Sequence, residues 1–128
     1  MPVEGAVCDS VMSERAVRFT KEQIAAYAQA SGDLNPIHLD DEFARSVGLP
    51  GVIAHGLLQM GLMGVVAAEA AGGPDKLERL YCRFAGMVVP GDVVTFTAER
   101  AGPAKLDLRA VNQKGEQVLT KASADLKE

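Results

Sequence analysis

The sequence predicts an α+β domain in which one long apolar helix packs against an antiparallel sheet. Two observations carry this prediction. Residues 56–71 are apolar on nearly every side, which is typical of a helix enclosed by other elements. From residue 77 onward the pattern changes to β-branched, alternating segments separated by short turns, and short turns join antiparallel strands. The length of 128 residues fits a single domain spanning residues 1–128.

The N-terminal part predicts a strand and then a capped helix. Residues 10–19 mix β-branched and charged residues and are interpreted as the strand. Thr20 begins a capping box with Gln23, and Phe19 and Ile24 are placed to form a hydrophobic staple. The helix must end by Gly32. Its stripe at helical spacing consists of Ile24, Tyr27, Ala28 and Ser31.

The remaining elements are bounded by turn-forming residues. Residues 32–36 predict a tight loop, and Asp40 caps a short helix over residues 41–47 that Gly48 ends. The long helix, residues 56–71, ends at the Gly-Gly-Pro of residues 72–74. The predicted strands that follow are 77–88, 92–100, 105–112 and 116–126.

Composition excludes several classes of function. The chain has 13 Lys and Arg against 17 Asp and Glu and no Trp, so neither a basic nucleic-acid surface nor a base-stacking platform is expected. Cys8 and Cys82 are too few for a metal site of their own or a disulfide scaffold, and we interpret both as reduced, buried residues. Gln59 and Glu69 interrupt the most apolar stretch, and no signal peptide is recognised. We therefore expect a cytoplasmic protein without a membrane segment.

The chemistry-bearing residues are concentrated before the long helix. The only two histidines, His38 and His55, lie there, and Asp33 stands five residues before His38 across a Pro-constrained turn. Such a turn can place a carboxylate and an imidazole around one water molecule, which is sufficient to move protons near neutral pH. Each residue also has a simpler interpretation, since Asp33 can be an ordinary turn residue and His38 a structural histidine.

Gly56 stands at the predicted start of the long helix. Backbone N–H groups there have no acceptor within the helix, and a glycine lets a ligand approach them closely. A developing oxyanion could be stabilised at that position. The alternative is a glycine that merely begins the helix.

These residues together resemble a known family. The run Ser31-Gly32-Asp33-x-Asn35-Pro36-Ile37-His38, followed by Ile53-Ala54-His55-Gly56, is similar to the MaoC-like dehydratases, the R-specific enoyl-thioester hydratases of the hotdog fold. The later Arg83-Phe84 and the Val89-Pro90-Gly91-Asp92 turn also resemble that family. The likeness covers nearly the whole chain.

The resemblance implies a central helix wrapped by a bent antiparallel sheet, in a homodimer or in a heterodimer with a related subunit. It implies that Asp33 and His38 activate a water molecule and that the Gly56 N–H binds the thioester carbonyl. Asn35 and Ser31 would support the loop, and we take Ser31 and His55 as structural. The reaction would be reversible syn hydration of a trans-2-enoyl thioester to an R-3-hydroxyacyl thioester. It needs no metal or redox cofactor, and coenzyme A or an acyl carrier protein would carry the substrate.

The sequence is also compatible with three other functions. A hotdog thioesterase would hydrolyse the thioester, although that class usually relies on a carboxylate near the helix start. An acyl-binding subunit without activity would be expected to lack the Asp33–His38 pair. The chain could also be the catalytic half of a heterodimeric 3-hydroxyacyl-thioester dehydratase that is inactive without its partner. Small residues on the long helix, Gly61, Gly64, Ala67 and Ala68, either leave room for the acyl chain or allow close packing of the sheet.

Overall fold

The structure, a computed structural model, describes residues 11–127. Its strands are β1 (Val11–Arg18), β2 (Leu77–Phe84), β3 (Val93–Gly102), β4 (Lys105–Val111) and β5 (Gln117–Leu126). Its helices are α1 (Lys21–Ser31), α2 (Asp41–Ser46) and α3 (Gly56–Ala71), with short 3-10 turns at Pro36–His38 and Pro74–Lys76. The strands form one antiparallel sheet in the order β1-β3-β4-β5-β2. The α+β prediction is confirmed, while Ser10 and Cys8 lie outside the described residues.

The capping interactions predicted for α1 are present. The Thr20 hydroxyl accepts a hydrogen bond from the Gln23 N–H at 3.0 Å, which satisfies one of the free donors of the first turn. Phe19 and Ile24 are both fully buried, as the hydrophobic staple requires. Gly32 ends the helix with φ of +80°, a left-handed conformation that glycine adopts without strain.

The long helix α3 has the predicted bounds and packs one face against the inner surface of the sheet. Its buried residues are Gln59, Met63, Val66, Ala67 and Ala70. The prediction that every face is enclosed is wrong for the single chain, because Leu57 is 65% and Val65 42% exposed. The five strands cover only one side of the helix cylinder, and the opposite side carries apolar and glycine residues. No helix among residues 11–127 is long and apolar enough to cross a membrane.

Strand β2 ends four residues earlier than predicted, at Phe84. Beyond it the chain leaves the ladder, and the N–H groups of Ala85 and Gly86 both donate to the carbonyl of Val118. Val88 then reaches the segment before α3, where its carbonyl accepts from the Ala54 N–H at 2.8 Å. This departure ties β2 and the loop after it to the start of α3, which is where the candidate site lies.

Candidate active site

The loop after α1 is held by a chain of side-chain to backbone hydrogen bonds. The Ser31 hydroxyl accepts from the Asp33 N–H at 3.2 Å, and Asp33 Oδ1 accepts from the Asn35 N–H at 3.3 Å. Asn35 Oδ1 in turn accepts from the Ile37 N–H at 3.1 Å and caps the 3-10 turn that ends at His38. Each polar side chain thereby supplies the acceptor that the tight backbone needs. The loop fixes one carboxylate oxygen of Asp33, and its Oδ2 points towards His38.

His38 is buried and its ring is oriented by the backbone. Its Nδ1 lies 2.8 Å from the carbonyl oxygen of Ile53. A carbonyl only accepts, so Nδ1 carries the proton, and in the neutral ring Nε2 presents a lone pair. Nε2 lies 4.0 Å from Asp33 Oδ2, too far for a direct hydrogen bond and suited to one bridging water molecule. The predicted juxtaposition of Asp33 and His38 is thus present.

Gly56 begins α3 beside these two residues. The side chain of the N-cap residue, His55, makes no capping hydrogen bond, so it does not compete for the N–H groups of the first helical turn. A Cβ atom on Gly56 would lie 3.0 Å from Cε1 of Phe84, closer than ordinary carbon contacts. Glycine therefore permits the Phe84 ring to lie directly against the start of the helix.

A cavity of about 370 Å³ brings together three of the predicted site residues, Ser31, Asp33 and Gly56, whereas His38 lines a separate cavity of about 130 Å³ and Asn35 lines neither. Its lining consists of Tyr27, Ser31, Asp33, His55, Gly56, Leu57 and Phe84. Asp33 is 53% exposed at its side chain, so its free oxygen can be reached from the cavity. A carboxylate, a helix N-terminus and apolar walls therefore face one space that can hold a small acyl group.

The second histidine, His55, which the sequence predicts to be structural, contacts both Asp33 and His38. His55 is 2% exposed, and its Nε2 lies 3.1 Å from the carbonyl oxygen of Asp33. Its ring stacks on His38 with centroids 3.7 Å apart and planes inclined by 22°. Tyr27 packs edge-on against the His55 ring, with the two ring centroids 4.9 Å apart. The only available signal in the sequence was that both histidines lie in one short stretch, and that signal does not reveal the stacking.

Asp41, in the first turn of α2, also holds the segment that leads to α3. Its Oδ1 accepts from the Val52 N–H at 2.9 Å, and its Oδ2 pairs with the Lys21 ammonium. The hydrogen bond from Lys21, followed by that from Val52, lowers the pKa of the Asp41 carboxyl below its ordinary value. Since Ile53 carries the carbonyl that orients His38, this contact supports the site from outside the cavity.

Asp33, His38 and His55 each offer a metal-ligating atom within 4.8 Å of the others. Coordination by imidazole requires the metal to lie near the plane of each ring, at about 2.0–2.1 Å from nitrogen for zinc. Two rings stacked 3.7 Å apart with planes inclined by only 22° leave no position close to both nitrogens that lies near the plane of each ring. The arrangement fits sharing of a water molecule and its protons better than it fits a metal centre.

Residues 3–123 match the family model described as MaoC like domain. The chain belongs to the MaoC-like domain family. The resemblance that rested on the Gly-Asp-x-Asn-Pro-x-His and Ala-His-Gly elements is confirmed. This family includes R-specific enoyl-CoA hydratases, so the reaction class expected from the motifs is that of its relatives.

Two curated MaoC-like relatives are much longer than this chain. It is 34% identical over 110 residues to the peroxisomal hydratase-dehydrogenase-epimerase of Neurospora crassa, covering 86% of this chain and 12% of that protein. It is 30% identical over 108 residues to a probable enoyl-CoA hydratase 2 of Dictyostelium discoideum, covering 82% of this chain and 37% of the relative.

The (R)-hydratase of A. caviae involved in PHA biosynthesis is a structural relative of similar size. It is 28% identical with a TM-score of 0.78, and the match covers 90% of this chain and 92% of that one. The hotdog fold is thereby confirmed.

Proposed function

We propose that this chain catalyses the reversible hydration of trans-2-enoyl thioesters to (R)-3-hydroxyacyl thioesters. The observation that carries the proposal is the 4.0 Å separation of Asp33 Oδ2 and His38 Nε2 beside the N-terminus of α3. The names of the relatives, an (R)-hydratase and a probable enoyl-CoA hydratase, support the same reaction.

The water molecule is activated by two acceptors. With Nδ1 of His38 donating to Ile53, Nε2 accepts one hydrogen of the water, and Asp33 Oδ2 accepts the other. The oxygen lone pair is then free to attack Cβ of the enoyl group. The pair removes one proton from the water and returns one to Cα on the same face, so the net change is addition of H and OH across the double bond.

The electrons displaced from the double bond move to the thioester oxygen. The Gly56 N–H and the positive end of the α3 dipole would stabilise that enolate-like charge. The residues alone account for every proton and charge in this sequence, so we propose that the reaction needs no metal or redox cofactor. Coenzyme A or an acyl carrier protein would serve only as the carrier of the acyl group.

The experiment follows the loss of enoyl absorbance when the purified protein meets crotonyl-CoA or a longer trans-2-enoyl-CoA. Asp33→Asn and His38→Gln should each lower kcat by about 10²- to 10⁴-fold, the usual contribution of general acid–base catalysis. Asp107→Asn, an exposed substitution on β4, is the matched control and should leave kcat unchanged. Chiral separation of the product tests the R configuration.

Two outcomes would contradict the proposal. Normal turnover in Asp33→Asn would remove the carboxylate from the mechanism. Release of free thiol without loss of the enoyl group would indicate a thioesterase. Enoyl loss with carrier-protein thioesters alone would identify the carrier and leave the mechanism intact.

We also propose that the active form contains a second chain covering the exposed face of α3. A groove of about 720 Å³ runs along that face and is lined by Gly61, Gly64, Val65 and Ala68, among others. A Cβ on Gly64 would lie 3.4 Å from the Leu80 side chain, so the groove adjoins β2, the last strand in the sheet order. A second copy could continue the sheet at that edge and place its own α3 in the groove.

Light scattering of the purified protein measures its mass in solution. The wild type should be a dimer, and Val65→Lys should weaken the dimer because it places a charge in the apolar groove. Val47→Lys, at a comparably exposed valine just after α2, is the control and should remain dimeric. A monomeric wild type would contradict the homodimer, and activity regained with a related subunit would identify a heterodimer.

A further inference from the structure

His55 contacts the catalytic candidates through two different parts of its ring. The Nε2 edge meets the backbone of Asp33, and the face of the ring meets His38. The residue is 2% exposed and supplies no capping hydrogen bond to α3, so helix capping does not account for a polar side chain there. Its ring instead links the start of α3 to the loop that carries the catalytic pair.

The hydrogen bond to Asp33 selects one tautomer of His55. Because the Asp33 carbonyl accepts, Nε2 of His55 carries the proton and Nδ1 is the bare nitrogen. Nδ1 is buried without a hydrogen-bond partner among the described residues. His38 has the opposite tautomer, with its proton on Nδ1 towards Ile53. The carbonyls of Ile53 and Asp33 thus select opposite tautomers for the two stacked imidazoles.

We propose that His55 is a positioning residue for the hydration reaction, an inference that rests on the proposed function. The Nε2–H bond holds the Asp33 backbone, and the stack fixes the plane of the His38 ring. Together they maintain the 4.0 Å gap that one water molecule spans. A displacement of about 1 Å at a reacting group can cost about 10²-fold in rate, so these contacts affect kcat although His55 itself donates no proton to the substrate.

Two conservative substitutions separate the contacts. His55→Gln keeps an N–H donor and loses the ring face, whereas His55→Phe keeps the face and loses the donor. We expect kcat to fall about 10-fold in each and about 100-fold in His55→Ala, with KM within about threefold of wild type, because the contacts that these substitutions remove are made to Asp33 and His38. Gln59→Leu, a buried substitution one turn along α3, is the control and should leave kcat unchanged.

A spectroscopic measurement tests the geometry independently of activity. Nitrogen-15 NMR of the two imidazoles distinguishes protonated from bare nitrogens, and loss of one set of signals in His38→Gln assigns the other to His55. We expect protonated Nδ1 in His38 and protonated Nε2 in His55, and we expect the His38 nitrogen shifts to move in His55→Ala.

The outcomes separate this inference from the proposed function. Identical tautomers in the two rings, or unchanged kcat in all three His55 variants, would overturn the positioning role. If wild type hydrates no enoyl thioester, the proposed function fails, while the NMR result still decides whether His55 holds Asp33 and His38. A kcat loss that occurs only with unfolding of the variant, measured by circular dichroism, would also reject a role in positioning.

Discussion

Replacing Gly56 with Ala tests whether the space at the start of α3 is needed for substrate. The added Cβ would lie 3.0, 3.1 and 3.3 Å from Cε1, Cζ and Cδ1 of Phe84. Carbon atoms in good contact are about 3.5–4.0 Å apart, so the Phe84 ring must move by about 0.5–1 Å. The φ of Gly56 lies outside the left-handed range, and the backbone therefore accepts alanine.

Gly56→Ala should have little effect on stability and a larger effect on activity. Alanine is a better helix former than glycine by about 1 kcal/mol in a helix interior and by less at the first residue of α3, and the Phe84 ring is 55% exposed and can turn outward. We therefore expect Tm to stay within about 5 °C of wild type. Overpacking costs about 1–3 kcal/mol. If the crowded cavity raises the free energy of the bound transition state by this amount, kcat/KM falls about 5- to 150-fold.

A double variant shows whether the ring is the obstacle. Gly56→Ala combined with Phe84→Ala removes the crowding and keeps the backbone N–H, so kcat/KM should recover to the value of Phe84→Ala alone. The assay is initial-rate hydration of one enoyl thioester, with thermal melting of each variant. Wild-type kcat/KM in Gly56→Ala, or a double variant as slow as Gly56→Ala, would refute the reasoning that the thioester binds against this part of α3.

Three further results are expected. Asp41→Asn should lower Tm at neutral pH, because Lys21 and Val52 lower the pKa of the Asp41 carboxyl and so stabilise the fold above the ordinary pKa of about 3.9. In melting curves at several pH values, the difference in Tm between wild type and variant should narrow below about pH 4. A difference in Tm that stays constant with pH would contradict this. Phe96→Ala, at a fully buried position, should cost about 3–5 kcal/mol in urea unfolding, and a loss under about 1 kcal/mol would mean that the site is not core. Dialysis against a chelator should leave kcat unchanged, and activity that returns only with added zinc would indicate a metal centre at the Asp33 cluster.

The elements were predictable where their signals are local. Thr20 and Asp40 cap their helices, and Gly32 and Gly72 end helices in the left-handed conformation, because each of these interactions lies within a few residues of sequence. The bounds of α3 follow from the glycine at its end and from the length of its apolar pattern. An apolar pattern does not say how much of a helix one sheet can cover, so the exposed Val65 face was not predictable.

The closeness of Asp33 and His38 was predictable from the sequence, and the stacking of His55 on His38 was not. A turn through Asn35 and Pro36, between Asp33 and His38, brings the two side chains together through local bonds. The position of His55 depends on how residues 47–55 return to that turn, and this path is fixed by contacts between segments distant in sequence. The early end of β2 also depends on a contact between segments distant in sequence, since the Val88 carbonyl accepts a hydrogen bond from the Ala54 N–H.

Three contacts fix the position of Asp33 and His38 relative to the start of α3. Asp41 holds the Val52 N–H, the Ile53 carbonyl holds His38, and His55 holds the Asp33 carbonyl. Each contact joins the segment before α3 to an element that precedes it in the chain. The separation between the Asp33–His38 pair and the Gly56 N–H therefore depends on this segment, because no single helix or strand contains both. It follows that a substitution such as Asp41→Asn, outside the cavity, should alter kcat as well as stability, whereas substitutions on the outer face of the sheet should alter neither.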